Sequence, residues 1–212
     1  LYFPHPSSSN HFETIFALIG AFIVLPILFF LIIRFPSSAE TKGLPLKEGL
    51  KMLRDPMLLL FGFILFFQSG IEGLTNNWTT TYLDTVKEVE SSTALFILSS
   101  FVGALTIARI VLGKVLRLFN PLKVLFISLT IAIVGSLFLI YGHSYFHLIT
   151  GMVVIGFGIA AGFPVILGYI GQMYKHLSGT AFSIVITIAL IGNVIANYIM
   201  GILSQQYGIE VF

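Results

Sequence analysis

From Val124 to Tyr174 the chain carries no Asp, Glu, Lys or Arg. The hydrocarbon core of a bilayer is about 30 Å thick and needs around 20 helical residues at about 1.5 Å each. The uncharged run therefore holds two crossings, Leu122–Tyr141 and Tyr145–Ile170, joined by the short turn Gly142-His143-Ser144. Four further stretches meet the same requirement: Thr14–Ile33, Met57–Leu83, Ser92–Leu112 and Gly179–Leu203. None alternates apolar and polar residues with period two, as the strands of a membrane barrel would. Helices remain the way to satisfy the backbone in lipid. The expected fold class is all-α, a polytopic membrane bundle of about six transmembrane helices.

Composition agrees with a lipid solvent. Hydrophobic residues make up 57% and charged residues 9%, against roughly 45–50% and about 25% in soluble domains. A water-soluble domain of this length would need a charged exterior. There is no cysteine, which excludes disulfides, thiolate nucleophiles and zinc–sulfur sites. The net charge of +2 is too small to point to a nucleic acid partner. The opening LYFPHPSSSN reads as a polar, proline-containing loop and not as a signal peptide. The chain is expected to begin inside a longer protein.

The basic residues set the orientation. Arg34, Lys42, Lys47, Lys51 and Arg54 fall between the first and second spans. Arg109, Lys114, Arg117 and Lys123 lie around the third-to-fourth connection, and Lys175 precedes the sixth span. Lys87 alone falls on the other side, beside Asp84, Glu88 and Glu90. The positive-inside rule makes the first group cytoplasmic and turns both termini outward. Phe35–Pro56 is the longest and most polar connection; its SSAETKG is followed by an amphipathic LKEGLKMLRD, a linker with a helix lying on the membrane surface. Residues 1–34 then hold an outer loop and the last helix of an N-terminal bundle, 35–56 the linker, and 57–212 five helices of a C-terminal bundle whose final helix is expected to be missing.

The second span, PMLLLFGFILFFQSGIEGLTNNWTTTYL, contains Glu72 at membrane depth. An ionised group there costs about 3 kcal/mol by insertion scales and calls for a partner or a watery cavity. Gln68, Glu72 and Asn76 are spaced i, i+4, i+8 on one helix face, and Ser69, Gly70, Gly73, Thr75 and Asn77 crowd the same turns. Glycines flanking the acid permit a locally opened helix whose carbonyls bind ligand. Glu72 is either a proton carrier or solute ligand, or a paired or protonated residue that only joins helices. Trp78 and Tyr82 are either sugar-stacking rings or members of an aromatic belt.

In the fifth span, Gly156, Gly158, Gly162 and Pro164 fit close helix packing or a second broken helix around Gly162-Phe163-Pro164. In the sixth, Asn193 and Asn197 share a face, as ligands for hydroxyls or as interhelical glue. His143 and His147 lie at the outer surface without a carboxylate cluster, and no metal site or other cofactor is expected.

The connection ARIVLGKVLRLFNPLKVL, with Arg109 and Gly113, resembles the loop after the eighth helix of the major facilitator superfamily. GKVLRLFNPLKVL is similar to the fucose permease type of sugar–proton symporter, though Arg117 and Asn120 stand where an aspartate and a glycine are common. Phe67-Gln68-Ser69-Gly70-Ile71-Glu72, followed by Trp78 and Tyr82, resembles that type's seventh helix. The GFP of the fifth span and the end of the sixth resemble helices ten and eleven, although Asn193 and Asn197 replace a common glycine and proline.

The resemblance covers nearly the whole chain, as helices six to eleven. It implies alternating-access transport in the plasma membrane, a bacterial inner membrane, with the rest of an N-terminal bundle as partner. The expected cargo is a small polar, sugar-like solute with a coupling proton. Glu72 would titrate or bind the solute, Gln68, Asn76 and Asn77 would orient it, Trp78 would stack on it, and Asn193 and Asn197 would face it on the strength of their own spacing, since the family's pattern lends them no ligand role. The competing expectation is an uncoupled facilitator or solute sensor of the same fold. An intramembrane enzyme is disfavoured, because no metal constellation, serine–base pair or phosphate loop falls at membrane depth.

Overall fold

The computed structural model describes the backbone of residues 6–33 and 46–212, and the side chains of 13–33 and 49–212. The chain divides into two compact units, Leu1–Leu44 and Pro45–Phe212. The described part of the first is one helix, α1 (Pro6–Ile32). Pro6 to Asn10 thus belong to a helix and not to the expected polar loop. A proline at the first helical position suits the start, since its fixed φ is already helical and its missing N–H had no partner there. Phe16, Phe22 and Leu28 lie about 120° apart around α1 and all are exposed. A helix apolar on every side suits a lipid surround.

The second unit contains α2 (Leu46–Met52), α3 (Pro56–Thr85), α4 (Ser91–Leu118), α5 (Pro121–Tyr141), α6 (Tyr145–Ile159), α7 (Gly162–Met173), α8 (Ser178–Tyr207) and a terminal 3-10 turn (Ile209–Val211). Among the described residues, six stretches are long and apolar enough to cross a bilayer. They are Glu13–Ile32, α3, α4, α5, the pair α6 and α7 taken as one (Tyr145–Met173), and α8. The chain is a multi-pass, all-α membrane protein. Of the expected linker, residues 34–45 lie outside the described residues; its amphipathic stretch forms α2, with Leu50 exposed and Met52 buried.

Two helices start on the same device. Asp55 caps α3 by accepting from the Met57 and Leu58 N–H groups at 2.9 and 3.3 Å, with Pro56 in the first turn. Asn120 caps α5 through Leu122 and Lys123, with Pro121 next. Each side-chain oxygen satisfies donors that the first helical turn leaves unpaired. Asp55 also accepts from the Tyr174 hydroxyl at 2.7 Å, joining the start of α3 to the end of α7. That bond, ahead of the backbone contacts, holds the Asp55 carboxyl below its usual range. Burial first, then the Asp55 contact, pushes the Tyr174 phenol up to about 12.

α3 packs most extensively on α8, while α4 and α5 pack on α6. The α3–α8 seam is closed by small residues. A Cβ on Gly70 would meet that of Ala196 at 3.1 Å, and one on Gly192 would lie 2.3 Å from the Phe66 carbonyl oxygen. These glycines allow backbones to touch, and they do not open the helix: α3 runs unbroken through Glu72. The expected loosened segment there is therefore corrected. The fifth span is interrupted at Ala160 and Ala161, which keep right-handed helical dihedrals, so the hydrogen-bond ladder is broken there and the helical backbone is not. Pro164 cannot supply the N–H that the Ala160 carbonyl would otherwise receive, and its ring crowds that carbonyl.

Candidate functional site

Ser69, Glu72, Gly73 and Asn76 recur at i, i+3, i+4, i+7 and form one stripe of α3. With Asn77, Arg109 of α4, Phe163, Pro164 and Leu167 of α7, and Asn193 of α8, they line a concavity of about 620 Å³. Two concavities of comparable size, one beside Tyr141 and His147 and one between α3, α5, α8 and the terminal turn, are walled mainly by apolar side chains. Polar chemistry converges in the first, at the middle of α3.

Glu72 is not a lone carboxyl. The Arg109 Nη2 donates to both its oxygens, at 3.0 and 2.8 Å. The side chain of Glu72 is 21% exposed and that of Arg109 is 38% exposed, so the pair borders open space. Arg109 was expected at the end of the third span, around the third-to-fourth connection. That placement is corrected: α4 continues past the expected end at Leu112 to Leu118, which leaves Arg109 inside the helix by about 13 Å. A bare arginine or carboxylate at such depth costs roughly 3 kcal/mol, and the pairing together with the partial exposure of both side chains offsets part of that cost.

The other candidates separate into those that face the concavity and those behind it. Asn76 and Asn77 line it. The Asn76 amide donates to the Glu72 carbonyl at 2.8 Å and that of Asn77 to Asn197 Oδ1 at 3.0 Å, and no bond to either residue's amide oxygen occurs among the described residues. Asn193 lines the cavity and donates to the Ser69 carbonyl at 3.1 Å. Asn197 lies deeper along α8 and accepts from the Trp78 indole at 3.0 Å. The Trp78 N–H is therefore spent on α8.

Gln68 is buried and donates to the Ile159 carbonyl at 2.8 Å, at the break in the fifth span. A Cβ on Gly162 would collide with its amide at 2.6 Å. Gln68 sits apart from Asn76 because each four-residue step turns about 40° beyond a full circle. Among the described residues, no group of three or more His, Asp or Glu is placed to hold a metal.

Two helices with a mid-span ion pair, open amide oxygens and a proline-broken third wall form a polar half-cavity in an apolar bundle. The profile of the Major Facilitator Superfamily matches residues 89–212, and the chain belongs to that superfamily. Its fold is similar to that of a Major Facilitator Superfamily transporter, FucP, in the outward conformation, at 20% identity and TM-score 0.68 over 97% of this chain and 53% of that one. A substituted form of the E. coli fucose:proton symporter FucP gives 19% identity and TM-score 0.68 over the same shares. The chain spans about half the length of these solved structures. No protein in the curated set matches the chain.

Proposed function

We propose that this chain forms part of a secondary transporter that moves a small polar, sugar-like solute across the plasma membrane, a bacterial inner membrane, by alternating access coupled to a proton. The observation that carries the reading is the Glu72–Arg109 pair at the rim of a polar concavity inside the bundle. Charges are kept at membrane depth where they serve a pathway or a site. Glu72 exchanges the proton, and Asn76, Asn77, Asn193 and Arg109 bind the solute. Gln68, Trp78 and Asn197, first considered as ligands, hold those side chains from behind. A second bundle of the same protein supplies the facing wall. The fucose:proton symporter named among the structural neighbours supports both the sugar and the proton, at the level of a shared fold.

A second reading, an uncoupled facilitator or solute sensor, draws on the same pair: a carboxylate already satisfied by a guanidinium needs no proton. Uptake into vesicles by the protein expressed from its complete reading frame separates the two. Under the coupled reading, Glu72→Gln abolishes the dependence of uptake on external pH. Uptake by this variant with an unaltered pH profile would remove the acid from the mechanism.

A further inference from the structure

The charges at the concavity add to zero only while Glu72 is ionised. Protonating Glu72 leaves Arg109 as a cation at membrane depth. Among the described residues, nothing packed around the pair replaces the lost carboxylate. α7 and α8 carry no Asp, Glu, Lys or Arg, and α6 contributes only Tyr145 and His147 at its outer end. The other titratable groups on these helices are Tyr169 on α7, Tyr198 and Tyr207 on α8, and Tyr82 and Asp84 at the far end of α3. On α4 the further charges are Lys114 and Arg117, which are also positive, and Glu210 of the terminal turn lines the other cavity. An unpaired guanidinium there is costly, so a proton alone is a poor load for this site.

Arg109 is also built to take a second anion. Its contact with Glu72 uses Nη2, and no bond from Nε or Nη1 occurs among the described residues. A guanidinium forks onto carboxylates with those donors. The open amide oxygens of Asn76 and Asn77 accept from hydroxyls.

We propose that the solute is a small polyhydroxylated carboxylate, of the sugar-acid type, whose carboxylate takes the place of Glu72 on Arg109 when Glu72 is protonated. This rests on the reading of Glu72 as the proton-exchanging group. On the proton-rich side, water delivers one proton to a Glu72 oxygen, the ion pair opens, and the solute carboxylate binds Arg109. On the other side the Glu72 carboxyl returns its proton to water, re-forms the pair and releases the anion. One proton and one monoanion cross together, and no net charge moves.

The test uses vesicles of stated internal pH containing the protein from its complete reading frame. It compares galactose with galacturonate and glucose with glucuronate under an inward proton gradient. At least one uronate should enter faster than its neutral parent by at least about tenfold, because a site built for a carboxylate rejects the analogue that lacks it. No uptake current should accompany it. Arg109→Gln should lose that uptake and Arg109→Lys retain part of it; the comparison of the two sugar classes needs no variant, so a folding defect in either leaves it intact. A neutral hexose entering as fast as its uronate overturns the anionic solute while leaving proton-coupled transport standing, and uronate uptake that carries current overturns the one-for-one exchange of proton and carboxylate. Gradient-driven uptake of none of the four overturns this inference alone, while an unchanged pH profile in Glu72→Gln removes Glu72 from proton exchange and overturns the coupled reading and this inference with it.

Discussion

Asn197 spends its whole amide on protein. Its oxygen accepts from Asn77 and Trp78, and its nitrogen donates to the carbonyl and the side-chain oxygen of Asn193 at 2.9 and 3.0 Å. Two donors and two lone pairs are thereby filled. Asn197→Ala leaves the indole and one amide without their acceptor in a half-buried seam, at a cost of about 1–2 kcal/mol, above the ~0.6 kcal/mol average for polar contacts in membranes. A lower thermal midpoint in detergent is expected, and an unchanged one would assign the seam to its glycines alone. Arg109 teaches the opposite lesson about single residues. Its run with Lys114, Arg117 and Lys123 made it look like one more cation at the cytoplasmic end of its helix. The missed signal was the length of α4: 28 residues span about 42 Å, well over the membrane core. A basic residue nine positions before that end meets the acid on the neighbouring helix, whose need for a partner the sequence had already announced.

At the scale of elements, glycine and proline mark different things. Both the Glu72 region and the GFP segment read as candidate helix breaks, yet only the second interrupts its hydrogen-bond ladder, and even there the backbone stays helical. Glycine permits an opened turn without requiring one, and close approach of α8 uses that freedom for packing instead. Proline deletes a donor and adds a clash, so its effect persists whatever packs nearby. The α3–α8 seam can be tested by paired substitutions. Gly192→Ala places a methyl 2.3 Å from a backbone oxygen of α3, which no side-chain rotation relieves. The helices must separate, at about 1–3 kcal/mol. Gly103→Ala on α4 meets nothing within 4 Å and exchanges a flexible residue for a helix former, a gain of up to about 1 kcal/mol. Unfolding in detergent should therefore rank Gly103→Ala at or above the parent and Gly192→Ala well below it. Equal stabilities would mean that α3 and α8 do not touch at Gly192.

For the whole molecule, the spans were legible because lipid imposes length and apolarity on every crossing, whereas the ion pair depended on which helices become neighbours. The same lipid imposes charge asymmetry. Lys51, Arg54, Lys114, Arg117, Lys123 and Lys175 cluster toward the end where Asp55 meets Tyr174. Lys87 stands at the other, donating to the carbonyls of Ile140 and Gly142 at 2.8 and 3.2 Å. Such a distribution orients the basic end toward the cytoplasm. These 212 residues hold no cysteine, so once any cysteine elsewhere in the complete reading frame is replaced by serine, single introduced thiols measure this directly. Ser91→Cys and His143→Cys, exposed at the Lys87 end, should react with a membrane-impermeant maleimide in intact cells. Phe119→Cys and His176→Cys, exposed at the basic end, should react only after permeabilisation. The reverse pattern would invert the bundle. Arg109, set closer to the basic end than to the other, would then lie nearer the outer mouth, and the side from which Glu72 takes its proton would have to be reassigned.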